Sequence, residues 1–137
     1  MKARKKIVAT QQAPQAIGPY SQGIVIGDLV FLSGQIPIDP ATGALAAGGI
    51  KEQTGQALKN LGAVLKAAGL GYQDVMKTTV YMKDLSGFAE MNEAYGRCFL
   101  SPFPSRTTIQ AAALPMDALI EIEAVAVKRD LPGGVPL

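Results

Sequence analysis

Arg106 is the residue with the chemistry to hold a small anion. It follows the turn-forming Phe103-Pro104-Ser105 and opens a run of strand formers, which brings its guanidinium to the rim of a sheet. The planar fork of arginine offers a carboxylate two parallel charge-assisted hydrogen bonds, although taken alone a surface arginine is the simpler reading. Glu121 and Glu123 lie two apart in a second strand-like run and share a face with Leu119, Val125 and Val127. A carboxyl among apolar neighbours keeps its proton to higher pH, as a general acid or base near neutrality must; a solvated strand edge accounts for the pair more simply. Tyr20, after Gly18-Pro19, stands in a turn where an aromatic serves as a lid over a ligand or as a packing residue. Cys98 falls on an apolar helical stripe and reads as core, not as a nucleophile.

These side chains need a frame, and the rest of the chain supplies its outline. Residues 13–18 contain Pro14 and run into Gly18-Pro19, an irregular lead-in. Gly23-Ile24-Val25-Ile26, the turn pair Gly27-Asp28 and Leu29-Val30-Phe31-Leu32-Ser33 predict an antiparallel hairpin. Pro37, Asp39-Pro40 and Thr42-Gly43 punctuate a loop as far as Gly49. Over 50–68, Leu58, Leu61, Val64, Leu65 and Ala68 recur at three- and four-residue spacing, and Gly69 stands where a helix end favours glycine. Residues 75–82, rich in β-branched side chains, predict a strand. Ser86 is positioned to cap a second helix carrying Phe88, Met91, Tyr95, Cys98 and Phe99 on one side, stopped by Pro102 and Pro104. Strands over 106–112 and 119–127 complete the order strand, strand, helix, strand, helix, strand, strand.

Both faces of the last strand are apolar: Ile120, Ile122, Ala124 and Ala126 on one, Leu119, Val125 and Val127 beside the two glutamates on the other. Two helices cover only one face of such a sheet, so a partner subunit is the expected cover for the second. Scattered exposed apolar residues are the plainer alternative.

Composition narrows the chemistry. A chain of 137 residues forms one domain, with 1–12 expected as a basic and polar tail and 131–137 as a loose C-terminal tail. The single cysteine excludes an internal disulfide, and the absence of histidine removes the common zinc sites and every histidine-dependent triad. No metal and no cofactor are expected. A net charge of +2, few aromatics and no tryptophan give no nucleic-acid surface. The apolar stretch after the N-terminal lysines is too short for a signal peptide, and no run approaches a membrane span; the expected location is the cytoplasm.

Four segments carry a resemblance. Ile17-Gly18-Pro19-Tyr20-Ser21-Gln22, Leu32-Ser33-Gly34-Gln35-Ile36-Pro37, Pro104-Ser105-Arg106 and Leu119-Ile120-Glu121-Ile122-Glu123-Ala124, in that order, resemble the Rid (YjgF/YER057c) family over almost the whole chain. The resemblance implies an α+β, chorismate-mutase-like single domain: a mixed sheet with two helices packed on one face, assembled as a homotrimeric barrel with clefts between subunits. It also implies cofactor-free hydrolysis of 2-imino acids, 2-iminobutanoate and the 2-iminopropanoate derived from 2-aminoacrylate, to 2-oxo acids and ammonia. Carried over, Arg106 would bind the substrate carboxylate and Glu121 would activate water. Tyr20 would close over the ligand from the neighbouring subunit, while Ser33, Gly34 and Asn92 shape the cleft. Thr108 occupies a position where many relatives have cysteine, which rules out a thiol mechanism there. Two other readings stand beside this one: a non-catalytic protein binding 2-oxo acids in the same cleft, and RNA cleavage or translational inhibition, which the charge and the missing histidine disfavour.

Overall fold

A computed structural model describes residues 4–128. It contains β1 (Lys6–Val8), β2 (Gly23–Ile26), β3 (Leu29–Gln35), α1 (Ile50–Ala67), β4 (Val75–Met82), α2 (Phe88–Tyr95), β5 (Ser105–Gln110) and β6 (Ile120–Val127). The strands form one six-stranded sheet in the order β1-β2-β3-β6-β4-β5. Only β4 and β5 run parallel to each other as neighbours; all other neighbours are antiparallel. A mixed sheet with two helices is the expected α+β architecture. The expected tail over 1–12 is corrected: Lys6, Ile7 and Val8 pair with Val25, Ile24 and Gly23 and add an edge strand. The C-terminal tail expected over 131–137 lies outside the described residues.

Helix α1 ends as the sequence dictates. Gly69 takes φ 80°, which costs glycine little, and lets Leu70 N–H donate to the Leu65 carbonyl while Gly69 N–H donates to that of Lys66. The second helix departs from expectation at both ends. Asp84, not Ser86, provides the side-chain cap, accepting from Ser86 N–H at the head of a 3-10 turn that leads into α2. The helix stops at Tyr95, and Cys98 and Phe99 follow it in irregular backbone.

The core lies between the helices and one sheet face. Val30 and Leu32 of β3, Val80 and Met82 of β4, and Ile120, Ile122, Ala124 and Ala126 of β6 meet Leu58, Leu61, Val64 and Leu65 of α1, with Met91 and Tyr95 of α2. The opposite face carries Ile24 and Ile26 of β2, Leu29 and Phe31 of β3, and Val125 of β6, and nothing in the described chain covers it; Phe31 is 45% exposed. No described helix is long and apolar enough to cross a membrane.

Polar cores fix the loops that border this sheet. Asn60, fully buried on α1, donates through Nδ2 to the carbonyls of Ile36 (3.1 Å) and Ile38 (2.8 Å) and accepts from Gln56 through Oδ1. Removing its amide strands the Ile38 carbonyl, whereas that of Ile36 still accepts from Ile38 N–H, and a buried unpaired group costs about 1–3 kcal/mol. Asn60→Ala is therefore expected to lower the unfolding free energy by about 2 kcal/mol, read as a lower midpoint with unchanged slope in urea denaturation. A loss under about 1 kcal/mol would mean the loop is held by something else.

Candidate active site

The residues singled out in the sequence fall into two groups on opposite faces of the sheet. Arg106 pairs with Thr78 across β4 and β5, and Glu121 pairs with Tyr81 across β4 and β6. Thr78 and Tyr81 are three apart in one strand, so they, and their partners, face opposite ways. With two strand spacings between β5 and β6 and three residues of rise along β4, the Cα atoms of Arg106 and Glu121 stand roughly 14 Å apart. One small molecule cannot touch both side chains of the same chain.

The first group lies on the helix side, at the edge strand. The Arg106 guanidinium carbon sits 4.8 Å from the centroid of the Tyr95 ring and 5.5 Å from that of Phe88. Among the described residues no carboxylate lies within ion-pair distance of it. Asn92 lies between Phe88 and Tyr95 on the same side of α2, and Thr108 lies two residues beyond Arg106 on the same face of β5. Asn92 Oδ1 and Thr108 Oγ1 are buried without a hydrogen-bond partner among the described residues. Buried polar atoms are nearly always paired in native proteins, so two orphans beside an arginine with no described carboxylate partner leave this spot with unused hydrogen-bonding capacity.

The second group lies on the uncovered face. Ser33 and Gly34 form a β-bulge: Leu32 pairs with Ala124 and Gln35 with Ile122, leaving both residues opposite Glu123. The bulge is tied to the N-terminal segment, because Ser33 Oγ donates to the Ser21 carbonyl at 2.6 Å and Ser33 N–H to that of Gln22 at 3.0 Å. Gln22 in turn is buried, donating to the Thr10 and Pro14 carbonyls and accepting from Thr10 N–H. Tyr20, two residues before it, is exposed, its N–H bonded to the Gly18 carbonyl. Glu121 lies directly over Gly34: a Cβ there would stand 2.5 Å from its carboxylate oxygen. Glycine is needed for this close approach, not for its backbone angles.

Electrostatics separates the two glutamates. Glu123 accepts a hydrogen bond from the Tyr81 hydroxyl at 2.8 Å. Glu121 has no such donor among the described residues; burial first, and then the neighbouring Glu123 charge, raise its pKa above that of an ordinary glutamate. Glu121 thus keeps its proton to higher pH than an ordinary glutamate, the direction that proton transfer to a substrate calls for. Sequence reasoning missed Tyr95, Phe88 and Gln22 as parts of these groups. The apolar stripe signalled Tyr95 only as core, and nothing local tied its ring to Arg106.

The family described as endoribonuclease L-PSP matches residues 10–128, nearly the whole chain. The chain belongs to the Rid family. It is 51% identical over 124 residues to a RutC family protein of Pyrococcus horikoshii, covering 90% of this chain and 98% of that one. It is 47% identical over 127 residues to the human 2-iminobutanoate/2-iminopropanoate deaminase, covering 93% of each. Among solved structures, Escherichia coli TdcF with bound serine superposes with a TM-score of 0.85 at 46% identity, covering 89% of this chain and 98% of that one. These Rid-family likenesses span both groups of residues and the strands between them.

Because the folded state raises the pKa of Glu121, the folded chain keeps that proton to higher pH than the unfolded chain does. Stability contributed by this site is therefore full below the unfolded glutamate value and is lost as pH rises through the folded one. Glu121→Gln, which mimics the protonated acid, is expected to raise the thermal midpoint at pH 7 and to leave it nearly unchanged at pH 4. An equal effect at both pH values would show that the carboxyl is not destabilised by its surroundings.

Proposed function

We propose that this chain hydrolyses reactive 2-imino acids, 2-iminobutanoate and 2-iminopropanoate, to 2-oxo acids and ammonia at seams between copies of itself. The observation that carries the reading is the pairing of an acid-free Arg106 beside two unused buried polar atoms with a glutamate of raised proton affinity. The 47% identity to a human protein named for this activity supports it. Since the two groups face opposite ways, a complete site takes the Arg106 group of one chain and the Glu121 group of another. The apolar cover missing from the second sheet face is the natural contact, and a homotrimer is the assembly proposed.

In such a seam Arg106 holds the substrate carboxylate, and Asn92 Oδ1 and Thr108 Oγ1 accept from polar hydrogens of the substrate. Glu121 takes a proton from water as the water oxygen bonds to the electrophilic C2 of the iminium. The tetrahedral adduct carries an amino and a hydroxyl group on C2. Glu121 returns the proton to the amino nitrogen; the C–N bond then breaks as the C=O bond forms, ammonia leaves, and the hydroxyl proton passes to it. Fixing one water against an already electrophilic carbon is a modest task, and positioning with one proton shuttle suffices. Tyr20, exposed in one chain, is free to close the seam from its neighbour.

The direct test generates 2-iminobutanoate in situ with a threonine dehydratase and traps free imine with semicarbazide. Wild type is expected to suppress semicarbazone formation, Arg106→Ala to lose nearly all of that ability, and Glu121→Gln to slow by about 10²- to 10⁴-fold, the usual share of acid–base catalysis. If wild type hydrolyses nothing yet binds 2-oxobutanoate, the protein is a carboxylate-binding protein instead. RNA cleavage that persists in Arg106→Ala and Glu121→Gln would place another activity elsewhere on the chain.

The split site makes a second prediction. When inactive Arg106→Ala and Glu121→Gln proteins are unfolded together and refolded at equal amounts, a seam that draws both intact halves from different chains forms with a probability of about one quarter in a cyclic trimer. About a quarter of wild-type activity is expected to return. No recovery, with mixed assemblies confirmed by mass, would mean that both residues act from one chain.

A further inference from the structure

Among the described residues Arg106 has no acidic partner to hold its guanidinium in one plane. The side chain carries about 2 kcal/mol of rotamer entropy, and a bidentate grip on a carboxylate is lost if the fork swings away. In this chain the restraint is aromatic. Tyr95 is 6% exposed and carries the guanidinium over its ring at 4.8 Å. The ring itself is fixed: its hydroxyl bonds Thr78 Oγ1 at 2.8 Å, and its face packs on Phe99 with centroids 4.5 Å apart. Thr78 is the β-ladder partner of Arg106, fully buried on the adjacent strand. Backbone pairing therefore sets Arg106 against Thr78, and Thr78 sets the ring against the side chain of Arg106. The loop of contacts closes on itself.

We infer that Tyr95, held by Thr78, is the positioning residue that orients the Arg106 guanidinium for a carboxylate ligand. The inference rests on Arg106 being the carboxylate-binding residue of the proposed function. Tyr95 touches no reacting atom in this arrangement; it acts on binding, through the arginine. A ring face also suits the purpose better than an aspartate would, because it aligns a cation without neutralising it.

The experiment measures 2-oxobutanoate affinity by calorimetry, KM and kcat for imine hydrolysis, and the Arg106 side-chain Nε–H resonance by NMR, on the assembled protein. Tyr95→Leu is expected to weaken binding and raise KM about tenfold, within the range of a desolvated cation–π contact, while kcat stays within about twofold. The upfield ring-current shift of the Arg106 resonance disappears with it. Tyr95→Phe keeps the ring and is expected to raise KM only about two- to threefold and to retain the shift. Tyr95→Leu with unchanged KM, or Tyr95→Phe as impaired as Tyr95→Leu, overturns the inference. Should Tyr95→Leu fail to fold, Thr78→Val removes only the hydroxyl that fixes the ring; a KM rise of about threefold with a broadened Arg106 resonance is expected, and an unchanged KM and resonance overturn it. Wild-type binding that Arg106→Ala abolishes and Tyr95→Leu leaves intact sinks this inference alone. Absence of binding in wild type sinks the proposed site, and the inference with it.

Discussion

The two-residue period of β6 is the constraint on which the rest of the molecule depends. Its neighbours are β3 and β4, so it forms the centre of the sheet, and its alternation assigns Ile120, Ile122, Ala124 and Ala126 to the core and Glu121 and Glu123 to the uncovered face. A slip of one residue in its pairing would bury two carboxylates under the helices and expel four apolar side chains. The partners adapt to β6 rather than the reverse. On the β3 side, the Ser33-Gly34 bulge admits an extra residue opposite Glu123 and leaves a surface without a Cβ for Glu121. On the β4 side, the register shifts between Val75 and Lys77 while the remaining pairs, Tyr81 with Glu121 among them, stay in step.

That alternation also stores opposite charges apart. At contact distance Arg106 and Glu121 would attract by about 4 kcal/mol at an effective dielectric of 20. Such a pair would fill the arginine's fork and pull the carboxyl below the ordinary glutamate range. The interposed sheet prevents both outcomes. Arg106 rests on aromatic faces, which leave its charge uncancelled, and Glu121 lies against Gly34, where burial first and then the Glu123 charge raise its proton affinity. Each group is kept in its reactive form by being denied the other.

Much of this frame was legible in the residue order, and the parts that were not have a common cause. The hairpin, α1 with its Gly69 terminus, β4 and β6 follow from local period and turn chemistry, and those signals span only a few residues. Strand β1 escaped notice because Lys6-Ile7-Val8 is short and follows a basic run; only pairing with β2 makes it a strand. Ser86 reads as the cap of the second helix because the 3-10 turn that Asp84 caps has no periodic signature; α2 itself starts after Gly87 with no side-chain cap. Arg106, Glu121, Asn92 and Thr108 were singled out by type and resemblance. Their division between two faces was not, since it needs the parallel register of β5 on β4, a long-range fact. Tyr95 is the clearest case: its place on an apolar stripe states that it is buried, and not what its ring carries.

On the proposed reading, the division makes substrate choice and catalysis one event. When two chains bring the halves together, Arg106 comes within reach of Glu121 for the first time, and an unsatisfied guanidinium there would depress the glutamate's pKa and weaken it as a base. A substrate carboxylate occupying the fork cancels that charge and lets Glu121 keep the affinity its own chain gives it. An imine lacking the carboxylate supplies no such cancellation and leaves a partly desolvated cation unpaired, a cost of the kind that makes broken buried ion pairs so unfavourable. The carboxylate thus does more than anchor the substrate: its arrival completes the charge balance under which the glutamate can accept a proton from water.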